Sequence, residues 1–542
     1  MNLLKHIENY RYFRSIISLN NNNFKKKNRF KQNQVLIEFN NFSAAHIGLS
    51  YSTNILKDKY DAKTIAYPGH VLLSYPLRPT IMTKIKRFLL ITFNMSFYGV
   101  YKSFGTNEFY YPKANKIIKK QSDKTYFRFK RDVKNLKSLE NYKIKKIHIG
   151  DLLYDTYLKN QYSMIPTIDL QSTHFQKFAY DFILLFEIWF EYIKKNRVKA
   201  IIGSHSVYVM GMVLKIAQKR KIATYVLTHE ELWKLNSSHP VQDYFTKHLR
   251  QKFRNLSKKK QLFIKNTAKK KIALRLQGSY SAEYAWITKS PFVGTGHKIP
   301  LKKNKRNIFV IATHDFVDAP HARGKSLFPD FYQWFTYLCE LSTKTNDIWL
   351  IKNHPDFEDE YAKYMKYERD VTHNVCLKYK NITILDKKTS LIDLSKMNVD
   401  AVFSVNGTIG FDLPLLNIPV INASLNNPHI NYKFNYHPKN IKELKNLVLN
   451  FDKYKKKIKI NKDELHEFYG MKTLFFKKNW FYSDLNKITK EIGSYHNFSK
   501  PSFYDYWVKH YSKFDEAQTI KNLNEYFNSN NTHLLNNNLG KY

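Results

Sequence analysis

Cysteine is nearly missing from this chain: in 542 residues only Cys339 and Cys376 occur. Two thiols so placed give neither a disulfide framework nor a zinc-ligand spacing, which fits a reducing compartment. Long apolar runs are missing as well. No stretch reaches the ~18 consecutive apolar residues of a spanning helix, and the nearest, residues 88–100, is short and carries Asn94 and Ser96. Residues 1–20 hold Lys5, Glu8, Arg11 and Arg14 without an apolar core and small-residue cleavage site, so no signal peptide is expected there. Acidic residues are scarce, with 44 Asp and Glu against 90 Lys and Arg, a formal net charge of +46. The excess favours anionic partners: nucleic acid, an anionic membrane surface, or phosphorylated and acidic sugars. Lys, Asn, Ile, Tyr and Phe are abundant together, as AT-rich coding would produce, which discounts the charge as a pointer to nucleic acid. Zinc-finger, RNP and KH patterns are absent, and the Lys runs are scattered instead of forming one recognition helix.

What is present is a chain long enough for two large domains, and its 43% hydrophobic and 16% aromatic content excludes wholesale disorder. Leu3, Leu4, Ile7, Tyr10, Ile16 and Ile17 follow rough helical spacing among basic residues, so the first helix either packs on a domain or lies on an anionic membrane. An Asn- and Lys-rich linker follows to residue 33. From there strands are expected at residues 35–39, 64–67, 145–150, 198–203 and 222–227, with helical periodicity at 173–196, where Phe178, Ile183, Phe186 and Phe190 read as core. Ligands of parallel α/β sheets bind beyond the carboxyl ends of the strands. That places His46, in the loop after the first strand, and His205, His229 and Glu230, at later strand ends, among the candidate cleft residues. Each has a plain alternative as a loop or solvated strand-end residue.

Residues 235–300, with Gly294, Gly296 and His297, read as the route between domains. A second series of strands is expected at 307–313, 348–352, 381–385, 400–405 and 418–422. His314 and Asp315 follow the first of these and Lys352 and His354 end the second. Ser390 and Asp393 look like a helix N-cap pair.

The most informative stretch is residues 399–423, which reads as strand, tight turn, short helix and strand. Ser404 ends the strand, and Gly407, Thr408 and Gly410 open a helix whose unpaired N–H groups suit a diphosphate. Asp412 lies four residues after Thr408, on the same helical face, where a ribose would sit. Pro414 should kink or shorten that helix. The plain alternative is a tight βα turn with a solvated Asp412.

Ser404, Gly407-Thr408, Asp412 and Asn417-Ile418-Pro419-Val420, in this order, resemble the donor-nucleotide segment of GT-B glycosyltransferases of bacterial capsule and surface-polysaccharide synthesis; Asn417 stands where that family usually has Gly. Lys352-Asn353-His354-Pro355 resembles the Lys-x-His-Pro signature of capsule transferases and poly(glycerol phosphate) polymerases. The loop from His314 to His321, with the residues after it, resembles one found in surface-carbohydrate synthesis proteins. The likeness spans residues 200–440 or so. It implies an α/β, GT-B-like fold of two Rossmann-like doubly wound domains facing across a cleft. The expected divisions are a basic segment and linker (1–33), an acceptor-side domain (34–300), a donor domain (301–495) and a C-terminal helical segment with a disordered tail (496–542).

The implied function is a glycosyltransferase moving a sugar from a nucleotide-sugar donor to a glycan or lipid-linked glycan acceptor. Lys352, His354, Ser404, Gly407, Thr408, Gly410 and Asp412 would hold the nucleotide; His46, His229, Glu230, His314 and Asp315 are the acid–base candidates. No cofactor or metal is expected, since HExxH and HxH patterns are absent. A non-hydrolysing sugar-nucleotide 2-epimerase and a polyol-phosphate transferase share the plan, and a nucleic-acid-binding protein is the non-enzyme alternative. The expected location is the cytoplasm. Lys clusters at 25–27, 119–120, 258–260 and 269–271 extend that to the inner face of the cytoplasmic membrane.

Overall fold

The computed structural model describes residues 3–24, 32–69, 73, 77, 79–160, 166–241, 249–278, 290–293, 306–354, 363–472 and 485–534. The chain divides into two compact units: Met1–Thr156, Leu170–Gln242 and Lys477–Lys541 form one, and Tyr157–Asp169 and Asp243–Phe476 the other. Each is Rossmann-like.

In the first unit the strands are β1 (Asn33–Phe39), β2 (Ala62–Pro68), β3 (Glu108–Phe109), a small hairpin of β4 (Lys143–Ile144) and β5 (Ile147–His148), then β6 (Arg197–Gly203), β7 (Ala223–Leu227) and β8 (Leu232–Leu235). The main sheet is ordered β3-β2-β1-β6-β7-β8 and is parallel except for β7 against β8. Alternation along β1 sends Val35, Ile37 and Phe39 into a core shared with helix Ser43–Tyr60 and the C-terminal helices Ser502–His510 and Glu516–Asn528. The N-terminal helix Leu3–Asn23 buries Phe13 and Ile16 in the same core, so of its two expected settings it takes the packed one. The segment read as a strand at 145–150 is instead the β4–β5 hairpin. Lys145 and Lys146 adopt φ of 51° and 63°, which reverses the chain where a strand would have continued.

In the second unit β9 (Ile308–Ala312), β10 (Ile348–Lys352), β11 (Ile382–Ile384), β12 (Ala401–Ser404) and β13 (Val420–Asn422) form a parallel sheet ordered β11-β10-β9-β12-β13. Both faces are covered, as continuous apolar strands require. Phe309, Ile311, Trp349, Ile351 and Phe403 pack on one side with helices Phe331–Ser342, Lys363–Cys376 and Ile441–Leu449; Val310, Leu350, Val402 and Val420 pack on the other with Leu391, Leu394 and Leu413.

The expected domain boundary at 300 falls instead at 242/243. Helix Lys258–Leu276 belongs to the second unit because it lies against helix Lys462–Gly470: the Cβ of any residue replacing Gly470 would come 2.5 Å from Ile264 Cγ2. Gly294, Gly296, His297, Lys25–Lys27 and Pro355 lie outside the described residues.

Candidate functional site

In both sheets the chain fills one side and then returns to the other, so the strand order reverses between β1 and β6 and between β9 and β12. Such switch points open a crevice at the carboxyl ends of the strands.

At the second switch point three strand ends converge. The Thr313 amide donates to Lys352 O at 3.0 Å, and the His354 amide donates to Thr313 Oγ1 at 2.9 Å, which laces the β9 and β10 ends together. The His314 and His354 rings lie 5.6 Å apart, and His314 Cδ2 stands 4.0 Å from where a Cβ on Gly407 would be. Gly407 has φ +93°, a conformation that favours glycine. Burial first, and His314 second, push the His354 pKa down to about 4. At neutral pH it is therefore an uncharged hydrogen-bonding group. Ser404 is buried and its hydroxyl donates to Asn406 O at 3.1 Å, pinning the turn, while the Thr408 side chain makes no helix-capping bond.

Several expected site residues are placed otherwise. Asp412 is not open to a ribose: its carboxylate is buried and accepts from Arg275 Nη2 at 3.0 and 3.1 Å and from Nε at 3.2 Å. Phe292 and Phe411 lie over that guanidinium. Gly410 makes room for a side chain instead of a phosphate, since a Cβ there would sit 2.7 Å from the buried His429 ring. The helix it opens, Ile409–Leu415, is short, as Pro414 requires. The Lys352 ammonium donates to Thr389 O at 2.7 Å, and burial lowers its pKa, with Asp393 opposing. Asp315 forms a buried carboxyl pair with Glu368. Burial and the Asp315 charge raise the Glu368 pKa, and both carboxyl groups accept from the Val317 amide at 3.0 Å, which holds the loop. Among the described residues no group of three or more His, Cys, Asp or Glu is placed to hold a metal ion.

In the first unit His46 lies within helix Ser43–Tyr60, not in a loop. It is buried, with Nδ1 2.6 Å from Tyr504 Oη and Nε2 3.1 Å from Asn40 Oδ1, and burial drives its pKa down to about 3. Such a ring is a packing element, not an acid or base. His229 stacks on Phe42 at 4.8 Å and lies 5.2 Å from Phe498; its Nε2 is 3.5 Å from Glu230 Oε1, so these two candidates are brought together.

The sequence reading passed over Glu38. It stands near the carboxyl end of β1, at the first switch point, where its carboxylate accepts from the Ser204 amide at 2.8 Å and from the Ser204 hydroxyl at 2.5 Å. Gly69 is required beside it, since a Cβ would come 2.1 Å from Glu38 Cγ. His205, exposed, has Nδ1 3.0 Å from Ser204 Oγ. A lone acid inside an apolar strand was the available signal.

No protein-family model and no curated protein matches the chain. Among solved structures it is similar to the KpsC beta Kdo 2,4 transferase of Thermosulfurimonas dismutans, at 14% identity and TM-score 0.32 over 51% of this chain and 79% of that one. It is also similar to UDP-GlcNAc 2-epimerase from Neisseria meningitidis bound to UDP-GlcNAc (10%, 0.23, 85% and 98%) and to MurG of Acinetobacter baumannii (9%, 0.23, 84% and 99%). At these scores none of the three bears on what the chain does.

Proposed function

We propose that the chain is a glycosyltransferase that takes a nucleotide-activated sugar at the switch point of its second unit and passes the sugar to a glycan or lipid-linked glycan acceptor. The observation that carries this reading is the meeting of His314, His354 and the Gly407 turn at three adjacent strand ends. The neutral His354 imidazole N–H and backbone amides near a turn suit phosphate oxygens, whose charge grows on the leaving group as the anomeric C–O bond breaks. Lys352, His354, Ser404, Gly407 and Thr408 remain the donor-side set; Gly410 and Asp412 leave it.

The acceptor hydroxyl must lose a proton as the new glycosidic bond forms. We assign that proton to His205, at the first unit's own switch point, with Ser204 and Glu38 behind it as positioning residues. Reaction in the cytoplasm, where activated nucleotide donors are made, belongs to the same reading. No described helix is long and apolar enough to cross a membrane.

Calorimetric titration with UDP, GDP and CDP, followed by incubation with a panel of nucleotide sugars with and without acceptor lipid, tests it. Sugar transfer only when acceptor is present is the expected result. Interconversion of donor epimers without acceptor, or transfer of a polyol phosphate, would replace the glycosyltransferase with one of its two relatives in plan. Tight sequence-selective nucleic-acid binding at about 0.2 M salt would remove the enzyme reading altogether.

A further inference from the structure

The helix Ile81–Thr92 turns its apolar stripe away from the unit that carries it. Thr80 caps its start, accepting from the Thr83 amide at 3.2 Å, and the Lys102 ammonium donates to Ile91 O at 2.7 Å near its end. The stripe facing the first unit is Arg87, Leu90 and Ile91. The Arg87 guanidinium lies 3.4 Å from the Tyr111 ring centroid, and Leu90 and Ile91 pack against the core. The outward stripe is Ile81, Met82, Ile85, Phe88 and Leu89, continued by Phe93, and these are 76, 72, 49, 67, 45 and 66% exposed. None of the helix residues is buried. A helix packed on a globular unit ordinarily buries such a stripe and sends its cation to water.

The sequence around the helix is one-signed. Lys84 and Lys86 are exposed, and no Asp or Glu occurs from residue 63 to residue 107. We propose that this helix docks the chain on an anionic lipid bilayer, lying in the interface with Phe88 and Phe93 in the acyl boundary and Lys84 and Lys86 among the headgroups. Twelve residues are too few to span, so the helix lies flat. A second copy of the chain is the poorer occupant, because a self-paired face would bring two basic rims together. The inference is independent of the proposed reaction. It also moves the membrane contact from the N-terminal helix, whose Phe13 and Ile16 are buried, to one whose apolar side chains are open.

The test is sedimentation of the full chain with vesicles of phosphatidylcholine alone or with 30 mol% phosphatidylglycerol. The chain should pellet with the anionic vesicles. Phe88→Ser with Phe93→Ser should weaken partitioning by at least about tenfold, and Lys84→Gln with Lys86→Gln by a similar factor on anionic vesicles only. All four side chains are exposed or at the helix rim, so the thermal midpoint should not move. Phe88→Cys supplies a positive signal: Cys339 and Cys376 are buried, so an environment-sensitive fluorophore attaches to the new thiol, and its emission should shift to the blue on anionic vesicles. Recovery of the wild type in the supernatant with both vesicles would overturn the proposal. So would pelleting that is unchanged by the double Phe substitution, or a blue shift that rises with protein concentration without lipid, which would assign the face to a second copy.

Discussion

Glu38 in the first unit and Asp412 in the second are buried acids near a strand or helix that frames the switch point, and the two are treated in opposite ways. Asp412, in the second unit, is matched by the Arg275 guanidinium through two hydrogen-bonding nitrogens. Glu38, in the first, has the Ser204 hydroxyl and amide as its hydrogen-bond donors, and no cation among those partners. A buried carboxylate clamped by a guanidinium has its charge fully used inside the fold, and its removal is felt as stability. One held only by neutral donors keeps a raised proton affinity and can exchange that proton with a neighbour at the surface. The acid that looked functional from its motif is thus the structural one. The acid that looked like part of a strand is the one to which the proposed reaction gives a positioning role.

The largest effect expected from this contrast comes from Arg275→Ala. It strands the buried Asp412 charge without its cation and should cost about 3–5 kcal/mol in the urea unfolding of the second unit. Adding Asp412→Leu should recover much of that loss, because two apolar residues replace a broken pair. If the single substitution costs under about 1 kcal/mol, the clamp is not holding the unit and Asp412 returns to the donor set. Gly410→Ala is the next in size. Its methyl would meet the His429 ring at 2.7 Å and Asn435 Nδ2 at 3.2 Å, both on buried side chains. Overpacking of this kind costs about 1–3 kcal/mol. Nucleoside diphosphate affinity of the folded protein should stay where it was, and a selective loss of affinity would restore Gly410 to the phosphate site.

His354→Ala and His314→Ala address the second switch point itself. Each removes one hydrogen-bonding ring from the proposed donor site and should weaken nucleoside diphosphate binding about tenfold, the worth of one hydrogen bond to a charged group. The sign with pH follows from burial. His354 is held neutral down to about pH 4, so its contribution should be flat from pH 6 to pH 8 instead of fading as pH rises through the usual imidazole range. Binding that drops tenfold between pH 6 and pH 8 in the wild type but not in His354→Ala would mean that the ring works as a cation.

The outcome shows what kind of information the sequence carried. The second sheet was legible because its strands are continuous apolar runs such as Ile308–Ala312 and Ile348–Lys352, each bounded by polar residues. The strand ends that carry His314, His354 and Gly407 were therefore legible too. Residues 145–150 misled because Ile147 and Ile149 mimic strand alternation, whereas two consecutive left-handed lysines decide the local path. The edge strand β8 was missed because Leu232-Trp233-Lys234-Leu235 is short and interrupted by a cation. The Arg275–Asp412 pair joins positions 137 residues apart, and nothing local to either marks the other. The same holds for His46, whose partner Tyr504 lies 458 residues away. Side-chain pairing across helices is set by packing, and packing has no periodicity to read.

The smallest effect expected, and the one that bears most directly on the contrast between the two acids, belongs to Glu38→Gln. The amide can keep both contacts, its oxygen accepting from the Ser204 amide and its NH2 donating to the Ser204 hydroxyl oxygen, so at acid pH little should change. Burial raises the Glu38 pKa above its ordinary 4.5, and the two Ser204 bonds only partly oppose this; the groups facing it, Tyr67 and Tyr101, are themselves buried phenols that stay neutral. A folded-state pKa above the unfolded one gives stability that is complete below about pH 4.5 and lost as pH rises through the folded value. Glutamine does not titrate. The variant should therefore match the wild type at pH 4 and exceed it at pH 8, read from urea unfolding at each pH. Ser204→Ala should act the other way, steepening the decline by removing the hydroxyl donor to the ionised form while the backbone amide stays. Parallel curves for wild type and Glu38→Gln across this range would mean that the Ser204 donors already compensate the burial. Glu38 would then be a structural acid like Asp412, and it would leave the positioning role behind His205.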